Sequence, residues 1–175
     1  MRRGPFVEGD LVQLTDPKGR HHTIVLEAQG RFHTHKGGIS HASLIGAEEG
    51  SVVHTEMGVG YLALRPLLSD FVLSMPRGAA IIYPKDASEI LFRADIRPGH
   101  TVVEAGVGSG ALSLWLLQAL GESGTLVSIE RREEFADVAK GNVEAFFHGA
   151  PPAHWDVKLG DLNERLPELE PGSED

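Results

Sequence analysis

Residues 102–117, Val-Val-Glu-Ala-Gly-Val-Gly-Ser-Gly-Ala-Leu-Ser-Leu-Trp-Leu-Leu, constrain the fold more than any other stretch of the chain. An apolar run leads into glycines at the alternate positions 106, 108 and 110 and then into an apolar helical pattern. Strand, glycine loop and helix in that order form the first turn of a parallel nucleotide-binding sheet, where backbone free of side chains approaches a ligand closely. Downstream, the pattern predicts a helix over 110–120, a turn at Gly121–Gly124, a strand over 125–130, a helix over 133–147 and, after the breaker at 148–154, a strand over 155–160. With the strand at 101–105, this makes a β-α-β-α-β series, half of a parallel α/β sheet.

Upstream the periodicity changes. Residues 9–64 read as short alternating strands: one hairpin turns at Asp16-Pro17-Lys18-Gly19 and another around Met57-Gly58, and the segment is expected to form a small β-barrel or sandwich. Arg65-Pro66 is expected to open a short helix that Pro76 stops. The form Asp86-Ala-Ser-Glu89 suggests a capping box and a helix over about 87–93. The expected organisation is therefore an α/β chain: an N-terminal β domain at 1–64, a connecting helix at 65–80, and the first half of a Rossmann-like domain at 81–175. Because the series stops at three strands, the chain is expected to be a fragment of a longer domain.

Glycine spacing narrows the ligand. A dinucleotide fingerprint would place its third glycine at 111, where the chain has Ala111. The form Glu-x-Gly-x-Gly-x-Gly, with Glu104 at the strand end, suits S-adenosyl-L-methionine, whose zwitterionic amino-acid end needs an acceptor near its ammonium and backbone donors near its carboxylate. Glu130 ends the second strand, where it can accept both hydroxyls of a ribose. Asp161 follows the third strand, where it can accept from the adenine amine. Three carboxylates at the carboxyl ends of adjacent strands, in register with a glycine loop, favour this cofactor over NAD.

The net charge of −9 speaks against a nucleic-acid partner, but its distribution does not. Residues 1–41 hold six Lys/Arg and four Asp/Glu together with five of the nine histidines, so the acid is concentrated downstream. His33 and His35, with His21, His22 and His41, could form a metal site, an RNA-facing patch or a solvated surface. Trp115 and the pair Phe146-Phe147 are expected in the core. With no cysteine, no signal-like stretch and no membrane-length apolar run, a cytoplasmic location is the expectation.

The stretches "HTHKGGISHASLIG", "GSVVHTEMGVGYLALRPLLSDFVLSM", "IYPKD" and "VVEAGVGSGALSLWLL" together resemble the bacterial tRNA (adenine-N1)-methyltransferases that modify adenine-58 of the T-loop. The resemblance implies a class I methyltransferase domain behind a small β domain, assembled as a homotetramer, with tRNA as substrate. It also implies S-adenosyl-L-methionine as methyl donor, S-adenosyl-L-homocysteine as product and no metal. Its cofactor contacts map to Glu104, the loop residues Gly106, Gly108, Ser109, Gly110, Ala111 and Leu112, then Glu130 and Asp161. Phe135 falls where the family has a further cofactor-side residue, often histidine, and Tyr83-Pro84-Lys85-Asp86 would border the substrate pocket. The family's catalytic aspartate stands in a segment resembling Asp-x-x-x-Pro-Trp that is expected beyond Asp175. A non-catalytic RNA-binding or assembly module with a vestigial cofactor site is the alternative, and a dehydrogenase is the weaker third reading.

Overall fold

The computed structural model describes residues 4–175, so Met1, Arg2 and Arg3 of the expected N-terminal domain lie outside the described residues. The chain forms two compact units, Met1–Leu67 and Leu68–Asp175.

The first unit contains β1 (Leu11–Thr15), β2 (His21–Val25), β3 (Arg31–Thr34), β4 (Gly37–Ser40), β5 (Val52–His54) and β6 (Gly60–Leu64). Four strands form an antiparallel sheet in the order β2-β1-β6-β5, and β3 and β4 pair as a separate ribbon. The barrel or sandwich of the sequence reading thus takes the form of a sheet plus a ribbon. The first hairpin is built as its turn residues suggest. Asp16 Oδ1 accepts the backbone N–H groups of Lys18 (2.8 Å) and Arg20 (3.0 Å), and Oδ2 accepts Arg20 Nε at 2.7 Å. These bonds, the Arg20 amide foremost, hold the Asp16 carboxyl down at about 2.

Alternate strand residues bury Val12, Leu14, Val53, Tyr61 and Ala63 against Phe6, Leu26, Ile39 and Leu44. At the edge of this core Arg65 is buried with Asp10, Nη2 to Oδ2 at 3.1 Å, and also reaches Glu49 Oε2 (3.2 Å) and the Gly4 carbonyl (3.1 Å). Its guanidinium stands 4.7 Å from the Phe6 ring centroid. Arg65 is therefore committed to the first unit, and the helix expected to open at Arg65-Pro66 begins only at Leu68.

The second unit runs α1 (Leu68–Ser74), α2 (Pro84–Arg93), β7 (Thr101–Ala105), α3 (Ala111–Leu120), β8 (Thr125–Glu130), α4 (Glu133–Phe147), β9 (His154–Leu159) and α5 (Leu162–Arg165). The three strands are parallel in the order β7-β8-β9, with Thr101, Thr125 and His154 in register. α3 buries Leu114, Leu116, Leu117 and Leu120, and α4 buries Ala136, Ala139, Val143 and Phe146. Phe146 packs against Phe71 with the rings tilted by 41° and 5.1 Å between centroids. Trp115, expected in the core, is only half-buried because α3 turns its leucines inward.

The capping box is not formed. Tyr83 is the N-cap of α2 without a side-chain cap bond, Pro84 takes the first helical position, and Asp86 pairs with Lys85 at 2.6 Å. Proline's fixed φ starts the helix three residues before the expected point. No helix among the described residues is long and apolar enough to cross a membrane.

Candidate cofactor site

At the carboxyl ends of β7, β8 and β9 lies a cleft of about 340 Å³ whose walls include Gly106, Gly108, Glu130, Arg132, Gly160 and Asp161. Ligands of parallel α/β sheets bind at this end. The glycine loop has φ of 86° at Gly106, 57° at Gly108 and 79° at Gly110, a region L side chains rarely adopt. Two of these positions differ in what surrounds them. A Cβ at Gly106 would meet open space, whereas one at Gly110 would stand 3.0 Å from the Ala139 Cβ and 3.1 Å from its Cα. Gly106 leaves room beside the cleft, and Gly110 lets the first turn of α3 lie against α4.

Glu130 lines the cleft and also organises the loop. Its Oε2 accepts the N–H groups of Val107 (2.9 Å) and Gly108 (3.1 Å), and Oε1 accepts that of Arg132 (3.0 Å). Burial pushes its carboxyl up, but the amide bonds from Arg132, Gly108, Val107 and Arg131 outweigh this and hold it below the ordinary value. It stays ionised at neutral pH.

Asp161 caps α5, with Oδ1 accepting Asn163 N at 2.9 Å and Asn163 Nδ2 at 3.0 Å, and it lines the same cleft. Phe135 is half-buried and does not line the cleft. Its ring lies 3.6 Å below the Arg132 guanidinium and against the backbone of Gly78. Ala111 is buried at the start of α3 and Leu112 is half-buried.

Glu104 occupies a different place from the other two carboxylates. It is buried between β8 and α3, where Oε2 accepts Ser113 Oγ (2.7 Å) and Ser128 Oγ (2.8 Å), and Trp155 Nε1 in turn donates to Ser128 Oγ at 2.9 Å. Its Oε1 is buried without a hydrogen-bond partner. Burial pushes the carboxyl up to about 7; the two serine bonds oppose the shift, and the nearby charge of Glu130 adds to it.

Ser109, at the loop's crest, acts as a latch. Its Oγ accepts the N–H groups of Gly78 (3.2 Å) and Ala79 (3.1 Å) and donates to the Ala79 carbonyl at 3.0 Å. Asn142 completes the latch: Nδ2 donates to the carbonyls of Ser109 and Pro76, both at 2.9 Å. Sequence reasoning missed Asn142, Ser113 and Ser128. Their signal was a polar residue on an otherwise apolar face, with Asn142 three residues after the buried Ala139 and Ser113 among the leucines of α3. Tyr83 is half exposed at the start of α2 and does not line the cleft.

Of the histidines, His41 is structural. It is buried, and its Nδ1 accepts the Glu27 N–H at 3.1 Å. Among the described residues no group of three His, Asp or Glu side chains could hold a metal ion, so a histidine metal site is not formed.

Residues 61–148, half of the chain, match the family described as the tRNA methyltransferase complex GCD14 subunit, and residues 4–53 match the TrmI-like N-terminal family. The chain belongs to the GCD14 tRNA methyltransferase family. It is 42% identical over 134 residues to the tRNA (adenine(58)-N(1))-methyltransferase TrmI of Thermus thermophilus, an alignment covering 77% of this chain and 52% of that protein. Among solved structures it is similar to a SAM-dependent O-methyltransferase from Thermotoga maritima, with a TM-score of 0.84 and 32% identity over 91% of this chain and 58% of the other. It is also similar to the tRNA (m1A58) methyltransferase TrmI from Aquifex aeolicus, with a TM-score of 0.74 and 26% identity over 90% and 60%. The chain spans about half the length of the curated relatives it matches. The Rossmann-like methyltransferase fold of the family is the fold described above.

Proposed function

We propose that this protein binds S-adenosyl-L-methionine in the glycine-loop cleft and serves methyl transfer to N1 of adenine-58 in tRNA, releasing S-adenosyl-L-homocysteine. The observation that carries the reading is the unpartnered Glu104 Oε1, a buried acceptor beside a glycine loop whose other carboxylate, Glu130, stays ionised at the cleft wall. A buried carboxylate oxygen without a partner suits a donor such as the ammonium group of this cofactor's amino-acid end. The residues therefore fit the zwitterionic end of this cofactor. Glu130 would hold the ribose hydroxyls and Asp161 the adenine amine.

The bound cofactor supplies a methyl group already activated by the sulfonium charge, so the protein's task is positioning. Glu130 fixes the loop through the Val107 and Gly108 amides, and the Ser109–Asn142 latch holds the crest of that loop to the segment at 76–79. The target base, paired or stacked within folded RNA, has to be extruded to reach the cofactor. The catalytic aspartate that the family resemblance implies is not assigned to any residue from 1 to 175. A homotetramer in the cytoplasm, with no metal requirement, belongs to the same proposal and is open to light scattering, fluorescent fusion and chelator treatment.

Calorimetric titration with S-adenosyl-L-homocysteine and with NAD tests the cofactor. Binding of the first, lost in Glu130→Ala and absent for NAD, is the expected result; binding of NAD alone overturns the reading. Tritium transfer from labelled cofactor to a tRNA transcript, compared with a transcript carrying guanosine at position 58, tests the target.

A further inference from the structure

A second cleft, of about 270 Å³, lies within the first unit and has a different character. Its walls are aromatic: Phe32 on β3, Tyr61 on β6 and His22 on β2. Ring centroids are 5.2 Å apart for His22 and Phe32, 6.0 Å for Phe32 and Tyr61, and 6.3 Å for His22 and Tyr61, so the three rings form one continuous cluster. Tyr61 is part of the buried core and fixes the wall, whereas Phe32 and His22 stay half exposed. The remaining lining is cationic at Arg20 and polar at His33, Thr34 and His35. The acids near this lining are already engaged, Asp16 by Arg20 and Glu56 by Arg31. Arg20 is held in place by its bonds to Asp16, so it is a pre-positioned donor rather than a free side chain.

No aliphatic side chain lines this cleft, whose apolar surface is wholly aromatic. Flat π-faces beside a guanidinium and imidazole N–H groups suit a nucleobase with its phosphate. The volume lies just below the roughly 300–1,000 Å³ of sites for larger ligands, which suits a single base. The cleft also coincides with the part of the chain where basic residues and histidines outnumber acids.

We propose that this cleft holds one unpaired nucleotide of the RNA substrate, its base on the half-exposed Phe32 and His22 rings that Tyr61 backs, and its phosphate against Arg20, His33 and His35. The choice of RNA as occupant rests on the methyltransferase reading above; the cleft itself is independent of the cofactor site. Unpaired bases splayed onto aromatic side chains are the usual means of recognising single-stranded RNA segments.

The test uses an unmodified, fluorescein-labelled tRNA transcript, read by fluorescence anisotropy, with S-adenosyl-L-homocysteine titrated calorimetrically into the same preparations. Removing one base–aromatic contact weakens binding about 5- to 150-fold, so Phe32→Leu is expected in that range. The His33→Ala/His35→Ala variant is expected to weaken binding by removing imidazole donors to the phosphate. Ultraviolet cross-linking of the unaltered protein, mapped by mass spectrometry, should give adducts within residues 31–35 or at His22, which keeps the test valid if a variant folds poorly. Unchanged affinity in both variants with adducts elsewhere overturns the proposal, as does equal competition by an abasic oligonucleotide of the same length. Cofactor binding without RNA binding overturns this proposal and leaves the cofactor assignment standing, whereas failure to bind either ligand overturns both.

Discussion

Replacing Glu104 by glutamine should change how the second unit's stability depends on pH. Burial raises the Glu104 carboxyl from its ordinary value of 4.5 to about 7, so between these values the folded chain binds more protons there than the unfolded chain does. The group's contribution is complete below pH 4.5 and is lost as pH rises through about 7. At about 1.36 kcal/mol for each pH unit of displacement, the loss across that window is roughly 3 kcal/mol. Glutamine keeps an acceptor for Ser113 and Ser128 but has no proton to release. Relative to the unaltered chain, Glu104→Gln should therefore gain roughly 3 kcal/mol between pH 4.5 and 8, and it should be the more stable protein at the alkaline end. Both tryptophans, Trp115 and Trp155, lie in the second unit, so urea unfolding followed by tryptophan fluorescence at pH 5, 6, 7 and 8 reports that unit selectively. Taking the difference between the two proteins removes the contribution of the histidines. Parallel pH profiles would refute the claim that Glu104 is the buried proton-binding group.

Other predictions follow from the same site. If an ammonium reaches Glu104 Oε1, cofactor binding should expel about half a proton at pH 7 and progressively less above pH 8, read by calorimetry in buffers of different ionisation enthalpy; binding with no proton release removes Glu104 from the cofactor contacts. Gly110→Ala combines positive φ with an approach to Ala139 and should lose more stability than Gly106→Ala, which incurs only the backbone strain of about 1–2 kcal/mol; equal losses by urea unfolding would show that the close approach is relieved. Asn142→Ala should cost about 1–3 kcal/mol by leaving the Ser109 and Pro76 carbonyls without their shared donor, and faster amide hydrogen exchange at residues 76–79 should accompany the loss. In the first unit, Asp10→Ala removes one of the two carboxylates on the buried Arg65 and leaves Glu49, so it should cost less than the roughly 3–5 kcal/mol of an unpaired buried charge, measured by thermal unfolding monitored at the β-sheet circular dichroism band; a loss in that full range would show that Glu49 does not compensate Arg65.

Local pattern was sufficient wherever a residue's conformation depended on its near neighbours. The strand at 125–130 and the helix at 133–147 have the bounds that their periodicity predicts, and Asp16 makes the turn its side chain is suited to make. Glycines at 106, 108 and 110 mark positive φ because few other residues tolerate it. Where two local signals compete, pattern reading fails: Asp86 and Glu89 suggested a cap, yet Pro84 pre-sets the helical φ earlier and α2 starts there. Arg65 shows a second kind of failure, because its partners Asp10 and Glu49 are distant in sequence and no periodicity connects them.

By itself the sequence determined the parallel β-α-β-α-β order, the glycine loop, and which carboxylates follow which strands, since strand alternation and helix spacing are properties of neighbouring residues. Tertiary structure decided what each carboxylate does. Glu130 and Asp161 share a cleft, whereas Glu104, one of three equivalent-looking strand-end acids, is enclosed by serines from β8 and α3 and keeps one oxygen unpaired. The same holds for the histidines: His41 closes the core while His22, His33 and His35 meet Phe32 and Tyr61 across three strands. A side chain's environment is set by what the rest of the chain places opposite it, and that information is spread over residues tens of positions apart.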